Sequence, residues 1–213
     1  MMRRSILALA ILGALPASAE TLAPGQPLSA APGIARYVFS QAYMADAHRT
    51  VVQYDRLAGF ACAGQYTMAP HALAVGATIE IPPGAPHPAT GTWRAVYDVT
   101  RCERVTRYSL FYEVRADGVA RVLAIAGQTN ASATLLRDVW AMAVPILAAG
   151  RTDCAQPVAR DTRISRPAAV PGGAWQEEWD IVNCGPEVAI QIDYTPSPRG
   201  GTDFAVRTPA RPR

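Results

Sequence analysis

Two stretches of the chain carry apolar residues at the three- and four-residue steps that are typical of an amphipathic helix. The first apolar face consists of Met44, Ala47, Val51, Tyr54 and Ala58. The second consists of Leu135, Leu136, Val139, Trp140 and Ala143. Ser132 is placed to cap the second helix, and Pro145 should kink or end it. The pattern therefore predicts one helix near residues 44–58 and another after Ser132.

Each predicted helix is followed by segments in which apolar and polar residues alternate, as in a half-buried β-strand. The alternation covers 93–99 and 108–114 in the first half, and 175–181 and 188–194 in the second. Turn-forming residues follow each pair, at 117–118 and 196–201, before the short strands 119–125 and 202–206. Each half is therefore predicted to form an antiparallel meander, and a proline-dense loop at 82–88 precedes the first.

The two halves match at a constant spacing. The matched residues are Gly91, Trp93, Tyr97, Asp98, Val99 and Cys102 in the first half and Gly173, Trp175, Trp179, Asp180, Ile181 and Cys184 in the second. One tryptophan or one cysteine in register would be a common coincidence. Six residue types in register favour a duplication.

The four cysteines are Cys62, Cys102, Cys154 and Cys184. In an exported chain an even count indicates disulfides, and four cysteines allow three connectivities. Their separation does not fit a redox pair or paired zinc knuckles. Pairing Cys62 with Cys102 and Cys154 with Cys184 would link the C-terminal end of each predicted helix to the sheet of its own half. This connectivity is preferred to the two crossed arrangements.

These observations predict an α+β fold of two tandem helix-plus-antiparallel-meander units, each closed by a disulfide, either side by side or sharing one continuous sheet. We expect a signal peptide at 1–19, an extended arm at 20–35, a first repeat at 36–127, a second repeat at 128–207 and a flexible tail at 208–213.

The first residues of the chain predict export. Met1–Arg4 is positively charged, Ser5–Leu15 is an apolar run, and Ala17–Ala19 has the small-x-small pattern of a cleavage site. We expect cleavage near Ala19 and a periplasmic or secreted mature protein. The arginine pair leaves both the general and the twin-arginine routes open. No later uncharged apolar stretch reaches the roughly 20 residues that span a bilayer, so no membrane span is expected.

Composition excludes several classes of function. The 20 basic residues are all arginine, which excludes lysine Schiff bases and a phosphate loop ending in Gly-Lys. Cleavage near Ala19 would remove Arg3 and Arg4 and leave 18 arginines against 17 acidic residues, and a formal charge of +1 gives no electrostatic footprint for nucleic acid or for an anionic membrane surface. Because 50% of the residues are hydrophobic, the chain can bury a substantial core and is not disordered.

One run in the second half suggests a setting for the protein. It consists of Trp175-x3-Trp179-x4-Cys184-Gly185, an extended strand, and Gly200-Gly-Thr-Asp-Phe204. This run resembles small exported bacterial proteins of unassigned function, and the resemblance covers only about 35 residues, all in the second half. It implies a bacterial periplasmic or secreted location and brings no catalytic residue. The first half has Glu103 at the position of Gly185 in the second half, so the first half matches this run less completely.

Three groups of side chains are candidates for chemistry. Copper ligands could come from His48, His71, His87, Met44 and Met68, although ordinary surface or half-buried histidines are the alternative. The equivalent residues Asp98 and Asp180 could form a catalytic carboxylate pair about a pseudo-two-fold axis, or could make the same structural hydrogen bond in each half.

The third group is the arginines beside Cys102. On a regular strand Arg101 and Arg107 would share a face, and their two guanidinium groups could hold an acidic partner or a sugar-acid polymer. The alternative is that these charges protect a sheet edge from aggregation.

The leading functional hypothesis is an exported, periplasmic, non-catalytic interaction module that binds another envelope component, either a protein or a polysaccharide. No cofactor and no nucleic acid partner are expected, and the oligomeric state stays open. A periplasmic copper-binding protein is the alternative, and an enzyme that uses Asp98 and Asp180 is third.

Overall fold

A computed structural model of the chain describes residues 18–60, 64–148, 157–182 and 187–207. Its elements in chain order are β1 (Glu20–Leu22), a 3-10 turn (Leu28–Ala30), α1 (Pro32–Val38), α2 (Gln41–Leu57), β2 (Thr67–Ile81), β3 (Thr90–Arg101), β4 (Arg104–Arg115), β5 (Gly118–Ala126), α3 (Ala133–Ala148), β6 (Val158–Arg166), β7 (Trp175–Val182), β8 (Glu187–Pro196) and β9 (Thr202–Arg207).

The expected α+β class is wrong, because the fold is mostly β. Strands make up 49% and helices 24%, with two antiparallel sheets and three helices in the part of the chain described. The strands β1–β5 form a five-stranded sheet and β6–β9 a four-stranded sheet, each in sequence order. The additional strands are mainly β2 and β6, which pair with the first strand of each predicted meander.

The pattern of apolar and polar residues does not predict the long strand β2, and the reason is physical. Its side chains are mostly exposed or half-buried, and it contains Pro70 and Gly76, which are both disfavoured in strands. Its register against β3 is also interrupted by several irregularities. Pairing with β3, rather than a strand-like sequence, therefore keeps this segment extended.

The expectation that a disulfide closes each half is not supported. Cys102 lies within the described residues, whereas Cys62, Cys154 and Cys184 lie outside them. No disulfide joins two described residues, and Cys102 is not a free thiol. The two units are therefore defined by their sheets and cores.

The predicted helices and turns are present. Ser40 Oγ caps α2 by accepting a hydrogen bond from Tyr43 N at 3.3 Å. Ser132 Oγ caps α3 in the same way, accepting from Leu135 N at 3.2 Å. α3 continues through Pro145 to Ala148 instead of ending at the proline. The turn at 117–118 joins β4 to β5 as expected.

Two apolar cores hold the sheets and helices together. The first lies between α1, α2 and one face of the first sheet. The second contains α3 and one face of the second sheet, and it also includes Phe111 and Ile125 from the first sheet. The first sheet is therefore buried on both faces at these residues, and α3 belongs to a core that both sheets share. This shared core makes the two halves parts of one structure.

The repeated residues occupy equivalent places in the two sheets. Trp93 on β3 is the register partner of Tyr112 on β4, and their rings stack with centroids 5.4 Å apart. Trp175 on β7 is the partner of Tyr194 on β8, with a stacking distance of 4.4 Å. Both tyrosines are almost fully buried. Each meander therefore carries the same aromatic stack at the same register.

The two sheets meet where the chain leaves β5 and passes beside β6. Gln128 N donates to Thr162 O at 2.7 Å, and Thr162 Oγ1 donates to Ala126 O at 2.7 Å. Gly127 has a φ of +88°, and a β-carbon at this position would lie 2.0 Å from Thr162 O. Glycine is therefore required here, because both its backbone conformation and the close approach of β6 exclude a side chain.

The first described residues contribute to the first core, where Leu22, Ala31 and Ile34 are fully buried. Residues 20–35, expected as an extended arm, contain β1, the 3-10 turn and the start of α1. Glu20 Oε1 accepts hydrogen bonds from Gly33 N at 2.6 Å and Ile34 N at 2.9 Å. Most of the expected signal peptide and all of the expected tail lie outside the described residues. None of the described helices has the length and apolar character needed to cross a membrane.

Candidate functional site

A cleft of about 660 Å³ lies where the β3–β4 hairpin faces β6 and β7. Its floor is the junction between the sheets, at Gly127, Gln128, Asp161 and Thr162. Its walls carry five arginines: Arg101, Arg104, Arg107, Arg160 and Arg163. They also carry three acidic residues: Asp161, Asp180 and Glu187. Both halves contribute to a cleft whose lining has more positive than negative side chains.

Arg101 forms the buried end of the cleft. Its side chain is almost fully buried, and its Nε lies 2.5 Å from Asp55 Oδ2 on α2. Its Nη1 donates to Thr106 Oγ1 at 2.7 Å. The hydroxyl of Tyr108 donates to the same Asp55 carboxylate. Arg101 is therefore held by the core of the first sheet.

Phe60 lies between arginines from the two halves. The guanidinium carbon of Arg101 is 4.0 Å from the centroid of the Phe60 ring, and that of Arg160 on β6 is 4.6 Å from it. Both distances are within the range of a cation–π interaction. Arg160 Nη1 also lies 3.0 Å from Glu187 Oε2. The ring therefore allows two positive groups from different sheets to share one end of the cleft.

Two further arginines of the cleft are held by carboxylates on neighbouring strands. Arg163 bridges Glu178 and Asp180, with both N–O distances at 2.6 Å. Arg107 Nε lies 3.0 Å from Asp98 Oδ1. Arg104 is exposed and makes no ion pair with any residue that the structure describes. Its guanidinium group is therefore the one in this cleft that has no carboxylate of the described chain beside it.

The Asp161 carboxyl has a raised pKa. The main cause is burial, and the nearby negative charge of Asp180, its cross-strand partner, adds to it. A hydrogen bond that Asp161 Oδ1 accepts from Thr162 N at 3.0 Å opposes the shift. Burial disfavours the charged form of a carboxyl group. Asp161 therefore retains a proton to a higher pH than an ordinary aspartate.

Arg101 and Arg107 both line the cleft, but on opposite faces of the sheet. The turn at 102–103 separates them, so Arg101 ends β3 while Arg107 belongs to β4. Arg107 is the register partner of Asp98, three positions before Arg101, and residues at odd separations along a strand point to opposite faces. The regular strand assumed for residues 101–107 does not exist.

Asp98 and Asp180 each lie beside an arginine. Asp98 binds Arg107 and also lies 2.9 Å from His71 Nδ1, whereas Asp180 binds Arg163. The hydrogen bond from Arg107, followed by that from His71, lowers the pKa of Asp98. Both carboxylates therefore make the same kind of cross-strand contact in equivalent strands.

The candidate copper ligands make separate contacts. His48 on α2 packs edge-on against Tyr66 with centroids 6.1 Å apart, and His87 Nδ1 lies 2.9 Å from Pro88 O. Met44 and Met68 are half-buried against the first core. The described part of the chain contains no group of three histidine, cysteine or acidic residues placed to hold a metal ion.

The sequence does not identify the second wall of the cleft. Arg160, Asp161 and Arg163 lie on β6, which the sequence pattern does not predict as a strand. Their alternating charges in the run Arg-Asp-Thr-Arg were the available signal. Nothing in that run indicates that it faces the β3–β4 hairpin, because this contact depends on how the two sheets meet.

Comparison with known proteins gives no relative. No family model, no curated protein and no solved structure matches the chain.

Proposed function

We propose that the mature chain is an exported, non-catalytic binding module that holds an acidic polysaccharide in the arginine-lined cleft. The observation that carries the proposal is the convergence of five arginines from both halves on one cavity of about 660 Å³. Guanidinium groups bind carboxylates with paired N–H donors. A cleft of this kind is suited to a chain that carries repeated negative charges.

The mixture of charges favours a sugar acid. A uronic acid unit has one carboxylate and several hydroxyl groups, so it needs both donors and acceptors. The cleft offers the Arg104 guanidinium for the carboxylate, and it offers acceptors at Asp161 and Glu187 for the hydroxyls. The Phe60 ring adds an apolar surface at one end. An acidic peptide would use the arginines but would have fewer groups to donate to these carboxyls.

Titration of the purified protein with polygalacturonate by calorimetry tests the proposal. We expect saturable binding that weakens as salt is added, because salt screens exposed charges. Arg104→Gln should weaken binding about tenfold, since a hydrogen bond to a charged group contributes about 1.5 kcal/mol or more. Arg199→Gln is the matched control, because Arg199 is an exposed arginine in the β8–β9 turn that does not line the cleft.

Two results would contradict the proposal. If polyglutamate binds and polygalacturonate does not, the cleft serves an acidic protein instead. If the two arginine variants bind polygalacturonate equally well, the interaction is nonspecific attraction to a basic surface, and the cleft is not the site.

A further inference from the structure

A smaller cavity, of about 380 Å³, lies between the first sheet and the start of α3. Its walls come from β2, β3 and β4, from Val122 on β5, and from the segment that leads into α3. The charged side chains that line it are Arg94, Arg137 and Glu113. None of the five cleft arginines is among them, so this cavity and the cleft are lined by different charges.

Arg94 differs from the other arginines that are removed from solvent. Of the arginines that the structure describes, four are buried or half-buried. Three of these contact a carboxylate: Arg101 that of Asp55 at 2.5 Å, Arg107 that of Asp98 at 3.0 Å, and Arg160 that of Glu187 at 3.0 Å. Arg94 is the fourth, and it contacts no carboxylate of the described chain. Its charge therefore lacks the direct counter-ion that the other three possess.

One carboxylate acts on Arg94 only through space. Burial lowers the pKa of Arg94, and the negative charge of Glu177 opposes this shift without outweighing it. The Glu177 oxygens accept hydrogen bonds from other donors, including Thr129 Oγ1 and Trp175 Nε1. Arg94 nevertheless stays protonated, because arginine is not deprotonated in proteins. A charge that has lost hydration without gaining a bonded partner is unfavourable, so an anion beside Arg94 would be stabilised.

The guanidinium group of Arg94 is fixed on one side and accessible on the other. Its Nη1 donates to Thr129 O, and its central carbon lies 6.0 Å from the centroid of the Phe111 ring. Its Nε is enclosed by protein, whereas its Nη2 makes no hydrogen bond with the described residues and is not enclosed. The group is therefore held in place by its surroundings, and Nη2 is left as a donor in the wall of the cavity.

Arg137 adds a second positive charge to the cavity. It is exposed, it forms no ion pair within the part of the chain described, and its Nε makes one long contact of 3.4 Å to Ala133 O. Glu113 carries the opposing charge, but its Oε2 lies 3.6 Å from Arg115 Nη2, outside the cavity lining. The lining therefore has more positive than negative charge.

Apolar side chains form much of the remaining wall. Ala74 and Phe111 are the register partners of Arg94 on β2 and β4, and the half-buried Val75 and Val122 also line the cavity. Small-molecule sites combine apolar walls with a few placed polar groups. An inorganic anion would leave this apolar surface uncovered, whereas an acid with an apolar body would cover it.

We propose that this cavity binds a small organic acid, whose carboxylate contacts Arg94 and Arg137 and whose apolar part lies against Val75 and Val122. Guanidinium groups offer carboxylates paired N–H donors, which neutral groups of the same shape do not match. The missing counter-ion of Arg94 is the observation that carries the proposal. Polysaccharide binding at the cleft is not required for it.

Calorimetric titration with benzoate, 4-hydroxybenzoate and hexanoate tests this inference. The corresponding amides are the uncharged comparisons, and inorganic phosphate is the anion without an apolar part. At least one acid should bind saturably, and at least about tenfold more tightly than its amide or phosphate. Arg94→Gln should weaken that binding about tenfold or more, because it removes hydrogen bonds between two charged groups. Arg137→Gln should weaken it about fivefold, because Arg137 is more exposed.

Arg56→Gln is the matched control. Arg56 is an exposed arginine in the last turn of α2 that does not line the cavity, so this variant removes the same charge elsewhere. It should bind the acid as the unmodified protein does. Because Arg137 is exposed, Arg137→Gln should fold normally and tests the site even if Arg94→Gln lowers stability.

Three outcomes would overturn the inference: none of the three acids binds, an acid and its amide bind equally well, or Arg137→Gln binds the acid as tightly as Arg56→Gln. Phosphate binding as tight as that of the acids would also overturn it, because the apolar wall would then contribute nothing. None of these results bears on polygalacturonate binding at the cleft, which Arg104→Gln tests separately.

Discussion

The indole nitrogen of Trp179 donates a hydrogen bond to the Glu177 carboxylate at 3.0 Å, in the core of the second sheet. The same carboxylate accepts from Trp175 Nε1 at 2.9 Å, from Thr129 Oγ1 at 3.0 Å and from Asn130 N at 2.8 Å. Glu177 is fully buried, and each of these four partners is a donor. It therefore joins the segment before α3 to strand β7.

Replacing Glu177 with glutamine should destabilise the protein strongly. The amide NH₂ would face donors instead of accepting from them, and each buried donor left unsatisfied costs about 1–3 kcal/mol. We expect a loss of about 3 kcal/mol in the free energy of unfolding, measured by urea denaturation. Glu178→Gln is the control, because Glu178 makes a surface ion pair with Arg163 and its loss should cost less than about 1 kcal/mol. Equal losses would show that the four hydrogen bonds contribute little.

Arg101→Gln should also destabilise the fold, although Arg101 lines the cleft. Removing one partner of a buried ion pair leaves an uncompensated charge, here Asp55, at a cost of about 3–5 kcal/mol. The matched variant Arg107→Gln breaks a half-exposed pair with Asp98 and should cost less than about 1 kcal/mol. Chemical denaturation of both variants separates the two roles. A small effect at Arg101 would mean that Asp55 is satisfied by Tyr108 alone.

Glu103→Gly should stabilise the protein. Glu103 has a φ of 62° in the turn between β3 and β4, in the left-handed region that costs an L-residue roughly 1–2 kcal/mol. Glycine removes this strain, and its greater freedom in the unfolded chain offsets part of the gain. We expect a net gain of about 1 kcal/mol, seen as a Tm rise of roughly 3 °C in calorimetry.

Glu103→Ala distinguishes strain from charge at the same position. This variant removes the carboxylate but keeps a β-carbon in the left-handed region, so its Tm should not rise. If alanine stabilises as much as glycine, the gain comes from removing a negative charge from the turn.

Asp161→Asn should change how stability depends on pH. The pKa of Asp161 is higher in the folded protein than the ordinary value near 3.9, so ionisation destabilises the fold. This penalty is absent below the ordinary pKa. It grows as the pH rises from the ordinary pKa to the folded pKa, and it is constant above the folded pKa. The Tm difference between Asp161→Asn and the unmodified protein should therefore increase from pH 4 to pH 7, in favour of the variant. A difference that is the same at every pH would show that the Asp161 pKa is not raised by folding.

The local elements could be predicted from sequence because their causes are local. The spacing of Ala47 and Val51 on one helix face is enough to predict α2, and Ser132 marks the start of α3. Alternation from Trp93 to Val99 predicts a strand for the same reason. In contrast, β2 has small residues, a proline and exposed side chains, so only its partner β3 reveals it as a strand. This difference explains why the sequence predicts fewer strands than the structure contains.

The candidate sites depend on contacts between distant segments. Arg160 contacts Phe60, and Arg94 and Arg137 line one cavity, and no periodicity in the chain encodes this proximity. The sequence does not even show on which face of the sheet Arg101 lies relative to Arg107, because it does not reveal that the chain reverses direction at Cys102 and Glu103. The two residues adopt positive φ values without the glycine or asparagine that usually marks such a turn.

By itself, the sequence determined the helices and the strands of the two meanders, because hydrophobic periodicity depends only on neighbouring residues. It also determined the equivalence of Trp93 with Trp175, because the matched residues of the two halves are separated by a constant number of positions. Tertiary structure decided that β2 and β6 complete the sheets, that Phe111 and Ile125 share a core with α3, and that arginines from both halves face one cleft. These features arise from packing between segments far apart in the chain, where the free energy depends on which surfaces meet and not on the local order of residues.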